Sequence, residues 1–367
     1  MNPFLISVYK EPSFFCNREK ETKKCINAVS NQRNLVIYAI RRMGKTGLIH
    51  HVFYQLQKSN NFNLFYIDID QTNNLNDFLN TLINGLIKGQ KKFVYGKLID
   101  FIKQLRPTIT FDPNTGYPEI KLNTNNAQDS KASIESVLNY LESLDKPVII
   151  AIDEFQRITD YPEKRVEAFL RSHIQHLNNV TFIFSGSKSS LLQAMFSNYN
   201  RPFYQSAELM HMERLHPETY CDFIMNHFSN SGKTIHKSTV ELGINWADNH
   251  TFYVQYLFNT IWGNGIEEIN TTVLQELQSE IIESRSALYA NYRNLLTHKQ
   301  FRLLKGIAME GAVEKPNSNQ FIQKYNLGSA STVNSALKTL RAKELIYSED
   351  GCIKLYDVFQ SKWFQQT

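Results

Sequence analysis

Residues 35–49, LVIYAIRRMGKTGLI, constrain the fold more than any other stretch of this chain. An apolar, β-type run from Leu35 to Tyr38 feeds a short turn. The turn closes on Gly44, Lys45 and Thr46, and the apolar positions after it open a helix. That is the strand–loop–helix layout of a P-loop. In such a loop the backbone N–H groups and the N-terminus of the following helix cradle an anion. Lys45 would reach the β- and γ-phosphates, and the Thr46 hydroxyl would hold Mg²⁺. The full pattern asks for glycine at the place held here by Ala39, where a Cβ is tolerated only while φ stays negative. A bare Gly-Lys-Thr also arises by chance, so the rest of the chain has to decide.

A second run, PVIIAIDEF at 147–155, supplies the partner. Val148 to Ile152 are apolar without interruption, as in a central parallel strand buried on both faces. The run ends in Asp153 and Glu154. An acid at the carboxyl end of such a strand polarises a water on Mg²⁺, and the next carboxylate orients or deprotonates the attacking water. The plain alternative is a pair of acids following a strand into solvent; the preceding Gly-Lys-Thr strand favours the functional reading. A third run, VTFIF at 180–184, precedes Ser185, Gly186 and Ser187. It reads as the neighbouring strand, with Ser187, and Ser185 behind it, as a sensor of the γ-phosphate. An ordinary strand-to-loop turn competes closely with that role.

Taken in order, these stretches and two others resemble the archaeal-type ATPases of the STAND group, relatives of the AAA+ proteins and the origin-recognition ATPases. Residues 15–21, FCNREKE, are similar to the family's hydrophobic-Gly-Arg-Glu-x-Glu box, with Asn17 in place of Gly. The resemblance implies that Arg18 and Glu19 lie against adenine and ribose. It also implies that Arg41, Arg42, Met43, Gly44, Lys45, Thr46 and Gly47 contact the nucleotide, where relatives read Gly-Pro-Arg-Arg-x-Gly-Lys-Thr. A hairpin-like insert at 108–122 turns at 112–116, and Asn249-His250-Thr251-Phe252-Tyr253 is similar to the Gly-His-Pro-Tyr segment of a helical lid, making His250 a nucleotide contact. One landmark departs. Where relatives carry Gly-Arg after a Pro-aromatic-Tyr stretch, Pro202-Phe203-Tyr204 is followed by Gln205 and Ser206, which puts fast hydrolysis in doubt. Arg171 and Arg201 are the candidates for an arginine finger, toward a neighbouring subunit if at all, against the plainer reading of surface or salt-bridged arginines.

The resemblance covers most of residues 12–265. The fold class it implies is α/β: a P-loop NTPase parallel sheet with helices on both faces, then an α-helical lid and a C-terminal winged helix-turn-helix. Strand and helix patterns alternate as far as the sensor strand, which predicts that parallel sheet independently. Helices are expected over 20–31, 73–105, 131–143 and 162–177, with 123–131 a polar loop. From Pro217 the strand signals stop, and the aromatic-rich stretch 251–262 reads as helical core. The expected domains are 1–216, with an insert at 106–130, then 217–294 and 295–367.

Composition agrees. With 367 residues, 42% of them hydrophobic, two or three domains with sizeable cores are expected. No apolar run approaches bilayer length, no signal peptide is legible, and no membrane contact is expected. Cys16, Cys25, Cys221 and Cys352 show no CxxC spacing, which argues against zinc and suits a reduced cytoplasm.

The last seventy-odd residues read as a separate module. Helices at 297–310, 319–325 and 329–343, then two short strands around Ser348-Glu349-Asp350-Gly351, resemble a winged helix-turn-helix. Its third helix would show Ser329, Ser331, Thr332, Asn334, Ser335, Lys338 and Arg341 to a groove and its phosphates. Residues 295–367 hold ten Lys/Arg against six Asp/Glu, so this module carries +4 of the chain's formal +5. That is a modest basic face, and double-stranded DNA and a partner protein compete evenly for it.

Two classes of function follow. One is an ATP- and Mg²⁺-dependent switch or regulator that hydrolyses slowly; the other is a DNA-coupled motor with high turnover. A non-hydrolysing interaction module is the remaining alternative, and a homo-oligomer is compatible with each.

Overall fold

The computed structural model describes residues 1–7, 9–89, 95–105, 107–111, 118–124 and 126–366. They form two compact units: Val8–Glu213, and Met1–Ser7 together with Arg214–Thr367. Among the described residues no helix is long and apolar enough to cross a membrane.

In the first unit α1 (Glu19–Ser30) leads to β1 (Leu35–Tyr38), α2 (Lys45–Gln57) and β2 (Asn63–Asp68). Then come α3 (Leu75–Gly89), α4 (Tyr95–Gln104), the hairpin strands β3 (Thr108–Phe111) and β4 (Pro118–Lys121), and α5 (Ala127–Glu142). The unit closes with β5 (Val148–Asp153), a 3-10 turn at Phe155–Asp160, α6 (Val166–Ile174), β6 (Val180–Gly186), α7 (Ser189–Ser197) and β7 (Glu208–His211). The five-stranded sheet runs β2-β5-β6-β1-β7, every neighbouring pair parallel. Every residue of β5 and β6 is buried, as continuous apolar strands require when helices cover both faces.

Alternation along the strands divides the core. Val36, Ile150, Phe182 and Phe184 pack with Leu79, Ile134, Val137 and Leu170 of α3, α5 and α6. Leu35, Ile37, Ile149 and Ile183 pack with Ala28 of α1 and Leu48 and Val52 of α2. The sheet therefore presents the carboxyl ends of β1, β5 and β6 side by side, where open parallel sheets bind ligands.

Several boundaries differ from the sequence reading. The stretch 73–105 holds two helices, with 90–94 outside the described residues. The turn expected at 112–116 also lies outside them. Residues 127–131, expected in a loop, already belong to α5, because the Asn126 side chain caps its first turn by accepting from the N–H groups of Gln128 and Asp129. The fifth strand, β7, has no counterpart in the sequence reading; four residues of mixed polarity on a sheet edge carry little pattern.

In the second unit α8 (Pro217–Asn230), β8 (Thr234–Ile235), α9 (Lys237–Trp246), α10 (Thr251–Gly263), β9 (Glu268–Ile269) and α11 (Thr271–Glu283) come first. Strand structure thus continues past Pro217, contrary to expectation: β8 and β9 pair in parallel over two residues each. The aromatic stretch is core as expected, with Tyr253, Val254, Leu257, Phe258 and Ile261 of α10 buried. Phe4 from the chain start joins it, fully buried among Phe223, His227, Phe228, Phe258 and Trp262. Burying such a ring is worth about 1.5–3 kcal/mol. After α12 (Ser286–Ala290) and α13 (Tyr292–Leu295) come α14 (His298–Glu310), α15 (Asn319–Lys324), α16 (Ala330–Ala342), the antiparallel pair β10 (Ile346–Glu349) and β11 (Cys352–Leu355), and α17 (Val358–Gln366). Thr297 caps α14 in a capping box with Gln300.

Candidate functional site

The loop between β1 and α2 owes its shape to two left-handed residues, Arg42 at φ 62° and Gly44 at φ 94°. Ala39 is not among the left-handed positions, so its Cβ causes no backbone strain and the missing glycine is accommodated. Gly44 forms the N-cap of α2 and Lys45 its first residue. Lys45 is only 7% exposed. Its Nζ donates to the carbonyls of Ala39 at 3.3 Å and Ile40 at 3.4 Å. Burial pulls the Lys45 pKa down, Arg41 adds to the effect, and Asp153 and Glu154 oppose it. A buried ammonium held by two long carbonyl contacts is poorly compensated, and an incoming anion would complete it.

The carboxyl ends of β5 and β6 carry the acids. Asp153 is 4% exposed and accepts hydrogen bonds on both oxygens. Thr46 Oγ1 and Tyr66 OH donate to Oδ2 at 2.7 and 2.8 Å. Ser185 Oγ and the Glu154 N–H donate to Oδ1 at 2.6 and 3.0 Å. Burial and the Asp153 carboxylate push the Tyr66 pKa well up, so Tyr66 stays a donor. Asp68, in register with Asp153 on β2, has a pKa raised first by partial burial and further by Asp153. Glu154 stands in the left-handed region at φ 55° and begins the 3-10 turn. Ser187 donates to Glu154 Oε2 from its N–H at 3.2 Å and its Oγ at 2.9 Å, and Gln156 Nε2 donates to the same oxygen at 2.5 Å.

Residues 15–21 lie along α1 and α2. A Cβ on Gly47 would sit 3.5 Å from the Phe15 ring, which stacks on His51 at 4.4 Å. Asn17 and Arg18 are both left-handed, at φ 54° and 66°. Relatives' glycine at position 17 is thus explained, and asparagine is the side chain that enters this region most readily. Arg18 is 4% exposed, donates from NH1 to Glu21 at 2.7 Å, and buries NH2 without a hydrogen-bond partner among the described residues. Glu19 points to solvent and pairs loosely with Lys23 at 3.9 Å.

In the second unit α16 buries Val333, Ala336, Leu337 and Leu340 and exposes Ser331, Asn334, Ser335, Lys338 and Arg341 on the opposite face. Ser329 is occupied as the N-cap, accepting from the Thr332 N–H, while Thr332 Oγ1 lies 3.0 Å from Ser329 Oγ. Asn334 accepts from Asn317 at 2.7 Å, and Arg341 donates to Ser348 of β10 at 3.2 Å. The wing is also held from beneath. Arg214 contacts Tyr347 OH at 3.0 Å and Glu349 Oε2 at 3.1 Å, and Lys354 pairs with Glu349 at 2.9 Å.

Residues 15–257 match the family model described as an ATPase domain predominantly from Archaea. The chain belongs to this family. Residues 287–366 match a second model, "Probable winged helix domain". An uncharacterised ATP-binding protein of Methanocaldococcus jannaschii, MJ1301, is 29% identical over 157 residues, 40% of this chain and 37% of that protein. The chain therefore matches little more than a third of that relative's length. Among solved structures, the Walker-type ATPase PABY2304 of Pyrococcus abyssi aligns over 99% of both chains, with TM-score 0.68 and 15% identity. ORC2 of Aeropyrum pernix, in ADPNP and ADP complexes, aligns over 100% of this chain and 96% of its own at TM-score 0.62 and 13% identity. ORC1 of Aeropyrum pernix in complex with DNA aligns over 97% and 93%, at TM-score 0.52 and 13% identity. At these identities the likeness is one of fold.

Within this ATPase-domain frame the structure brings Lys45, Thr46, Asp153, Glu154, Ser185 and Ser187 together. Other candidates stand elsewhere. Arg171, on α6, donates to Gln175 at 3.0 Å, and Arg201 pairs with Glu167 at 2.9 Å. His250 belongs to the second unit, buried at the N-cap of α10 with its ring 4.9 Å from that of Tyr253. Gln205, where relatives have glycine, is left-handed at φ 53°. Sequence reasoning missed Tyr66 and Gln156. Tyr66 becomes visible only once β2 is known to lie beside β5, and Gln156 only once the 3-10 turn folds it back.

Proposed function

We propose that this protein is a nucleotide-controlled switch of the STAND/AAA+ type. It binds ATP with Mg²⁺ at the carboxyl edge of the sheet, hydrolyses it slowly, and engages duplex DNA through its winged helix. The observation that carries the reading is the joint placement of a buried, undercompensated Lys45 and a carboxylate, Asp153, hydrogen-bonded to the hydroxyl of Thr46. Lys45 and the amides of residues 41–47 would bind phosphate oxygens. Thr46 and Asp153 are hard oxygen donors suited to Mg²⁺, which when bound neutralises phosphate charge. Glu154 takes a proton from the attacking water. The water oxygen bonds to the γ-phosphorus, the bond from that phosphorus to the bridging oxygen breaks, and ADP and phosphate result. Ser187 serves as sensor, and Arg18 and Glu19 as further nucleotide contacts.

Ser206, standing where relatives carry arginine, favours slow turnover, with Arg171 the remaining candidate for a finger supplied in a homo-oligomer. Exposed Ser331, Asn334, Ser335, Lys338 and Arg341, with Thr332 beside them, form the DNA-facing surface. The fold is shared with an ORC1 protein solved with DNA, which makes duplex DNA the first ligand to try, ahead of a partner protein. A cytoplasmic setting goes with this reading. The test is ATP turnover with Mg²⁺, with and without duplex DNA, in wild type, Lys45→Ala and Glu154→Gln. Slow wild-type turnover that both substitutions abolish, with Glu154→Gln still binding ATP, is the expected result. Fast DNA-stimulated turnover would replace the switch by a motor, and normal hydrolysis by Glu154→Gln would remove the base assignment.

A further inference from the structure

Gln156 is a buried polar residue for which phosphate binding gives no reason. It follows Glu154 in the 3-10 turn and is 1% exposed. A buried amide is retained where its hydrogen bonds fix local geometry. Its Nε2 donates to Glu154 Oε2 at 2.5 Å, while its Oε1 is buried and accepts no hydrogen bond among the described residues. The carboxylate neighbour determines which amide atom faces it.

Gly186 provides the independent observation. Its backbone is not left-handed, so conformational freedom does not explain a glycine at the end of β6. Space does: a Cβ there would lie 1.9 Å from Gln156 Oε1 and 3.0 Å from its Cδ. No side chain fits at 186 while the Gln156 amide keeps its place. The missing side chain and the buried amide form one device, and the amide's one donated bond within it goes to Glu154.

We infer that Gln156 is a positioning residue that fixes the Glu154 carboxylate for its task as base, with Gly186 leaving room for it to do so. Glu154 leaves β5 through a left-handed residue, so its side chain is not aligned by strand geometry. Donors from two directions converge on its Oε2: Gln156 from the turn that follows, and the N–H and Oγ of Ser187 from the end of β6. One carboxylate oxygen is thereby anchored, and the orientation of the other is set. A base that must meet a water within hydrogen-bond reach gains from this restraint. The inference rests on Glu154 as the base proposed above.

The experiment compares kcat, KM and ATP affinity for wild type, Glu154→Gln, Gln156→Met, Gly186→Ala and the double variant Gln156→Met with Gly186→Ala. Methionine keeps the volume and removes the donor, so folding is retained. Gln156→Met is expected to lower kcat by about tenfold or more, the kinetic equivalent of one hydrogen bond to a charged group, with ATP affinity unchanged. Gly186→Ala is expected to lower kcat similarly by displacing the amide, and to cost much less in the Gln156→Met background, since the flexible thioether can yield. A Gln156→Met kcat within twofold of wild type, beside an inactive Glu154→Gln, overturns this inference and leaves the base assignment standing. Equal Gly186→Ala costs in the two backgrounds also overturn it. Full turnover by Glu154→Gln overturns both readings together.

Discussion

The two candidate sites keep their polar groups in opposite ways. At the sheet edge Lys45, Asp153, Gln156 and Ser185 are 7, 4, 1 and 0% exposed, and their side chains hydrogen-bond to loop carbonyls, to one another, or to Thr46, Tyr66 and Glu154 beside them. On α16, Ser331, Ser335 and Lys338 are exposed and are aligned by helix register. Burying a charge or an amide is costly unless it is paired, so a buried cluster that stops short of full pairing at Lys45 points to a missing ligand. Exposed polar residues cost nothing and point to no ligand by themselves. The first site can therefore be argued from strain and incompleteness; the second can be argued only from chemistry and charge.

Substitution of Lys45 should break that comparison most sharply, because it removes the incompleteness itself. Burial lowers the Lys45 pKa from its ordinary value of 10.5, so Lys45 costs the nucleotide-free fold stability at neutral pH; this cost is full below the folded pKa, declines above it, and vanishes only above 10.5. Lys45→Met should therefore raise the nucleotide-free Tm, by roughly 2–4 °C for each kcal/mol of charge burial relieved. ATP affinity should fall by about a hundredfold or more, as expected when a charged hydrogen bond to phosphate is removed. Calorimetric unfolding and ATP titration read both effects. A variant that is destabilised as well as unable to bind would mean that Lys45 is structural.

Legibility follows the same division. The apolar runs 35–38, 148–152 and 180–184 are readable because a strand buried on both faces must be continuously apolar, and the loop with its Gly-Lys-Thr is readable by spacing. Glu208–His211 is not readable, since an edge strand needs no such run. Nor are Tyr66 and Gln156, whose contacts with Asp153 and Glu154 depend on strand order and on a turn. Asn17, Ala39 and Gln205 look like defects in the sequence. In the structure Asn17 and Gln205 are left-handed and Ala39 is not, so two take the conformation that glycine would favour and the third does not need it. The winged helix is legible from its helix faces and tight turn. The grip of Arg214 on its wing is not, because that pairing spans more than a hundred residues of sequence.

A smaller effect tests the exposed face. Replacing Lys338 and Arg341 together by Ala should weaken duplex DNA binding about equally across sequences. It should also lower the slope of log affinity against log salt by about 0.9 for each phosphate no longer neutralised. The sheet-edge site should be untouched, so ATP affinity should remain at the wild-type value. Fluorescence anisotropy over a salt series measures the slope; an unchanged slope would assign this face to a protein partner.

The smallest expected effect concerns the support beneath that face. Burial alone would raise the Glu349 pKa, but hydrogen bonds from Lys354 and Arg214 bring it below its ordinary value of 4.5. A carboxylate whose folded pKa is depressed contributes stability that is present above its unfolded pKa and lost as pH falls through the folded one. Glu349→Gln should thus cost about 1 kcal/mol or somewhat more at pH 7, typical of hydrogen bonds to a charged group. Its unfolding free energy should converge on that of wild type as pH drops below the ordinary value of 4.5. Taking the difference between the two proteins cancels the other carboxylates, which titrate alike in both. Denaturant unfolding from neutral to acid pH, followed by the near-ultraviolet signal of Trp363 and Tyr347 in this unit, gives that difference directly. A gap that stays constant with pH would mean that Glu349 supports the wing by its shape and not by its charge, and that the exposed face is held by packing in the way the sheet edge is not.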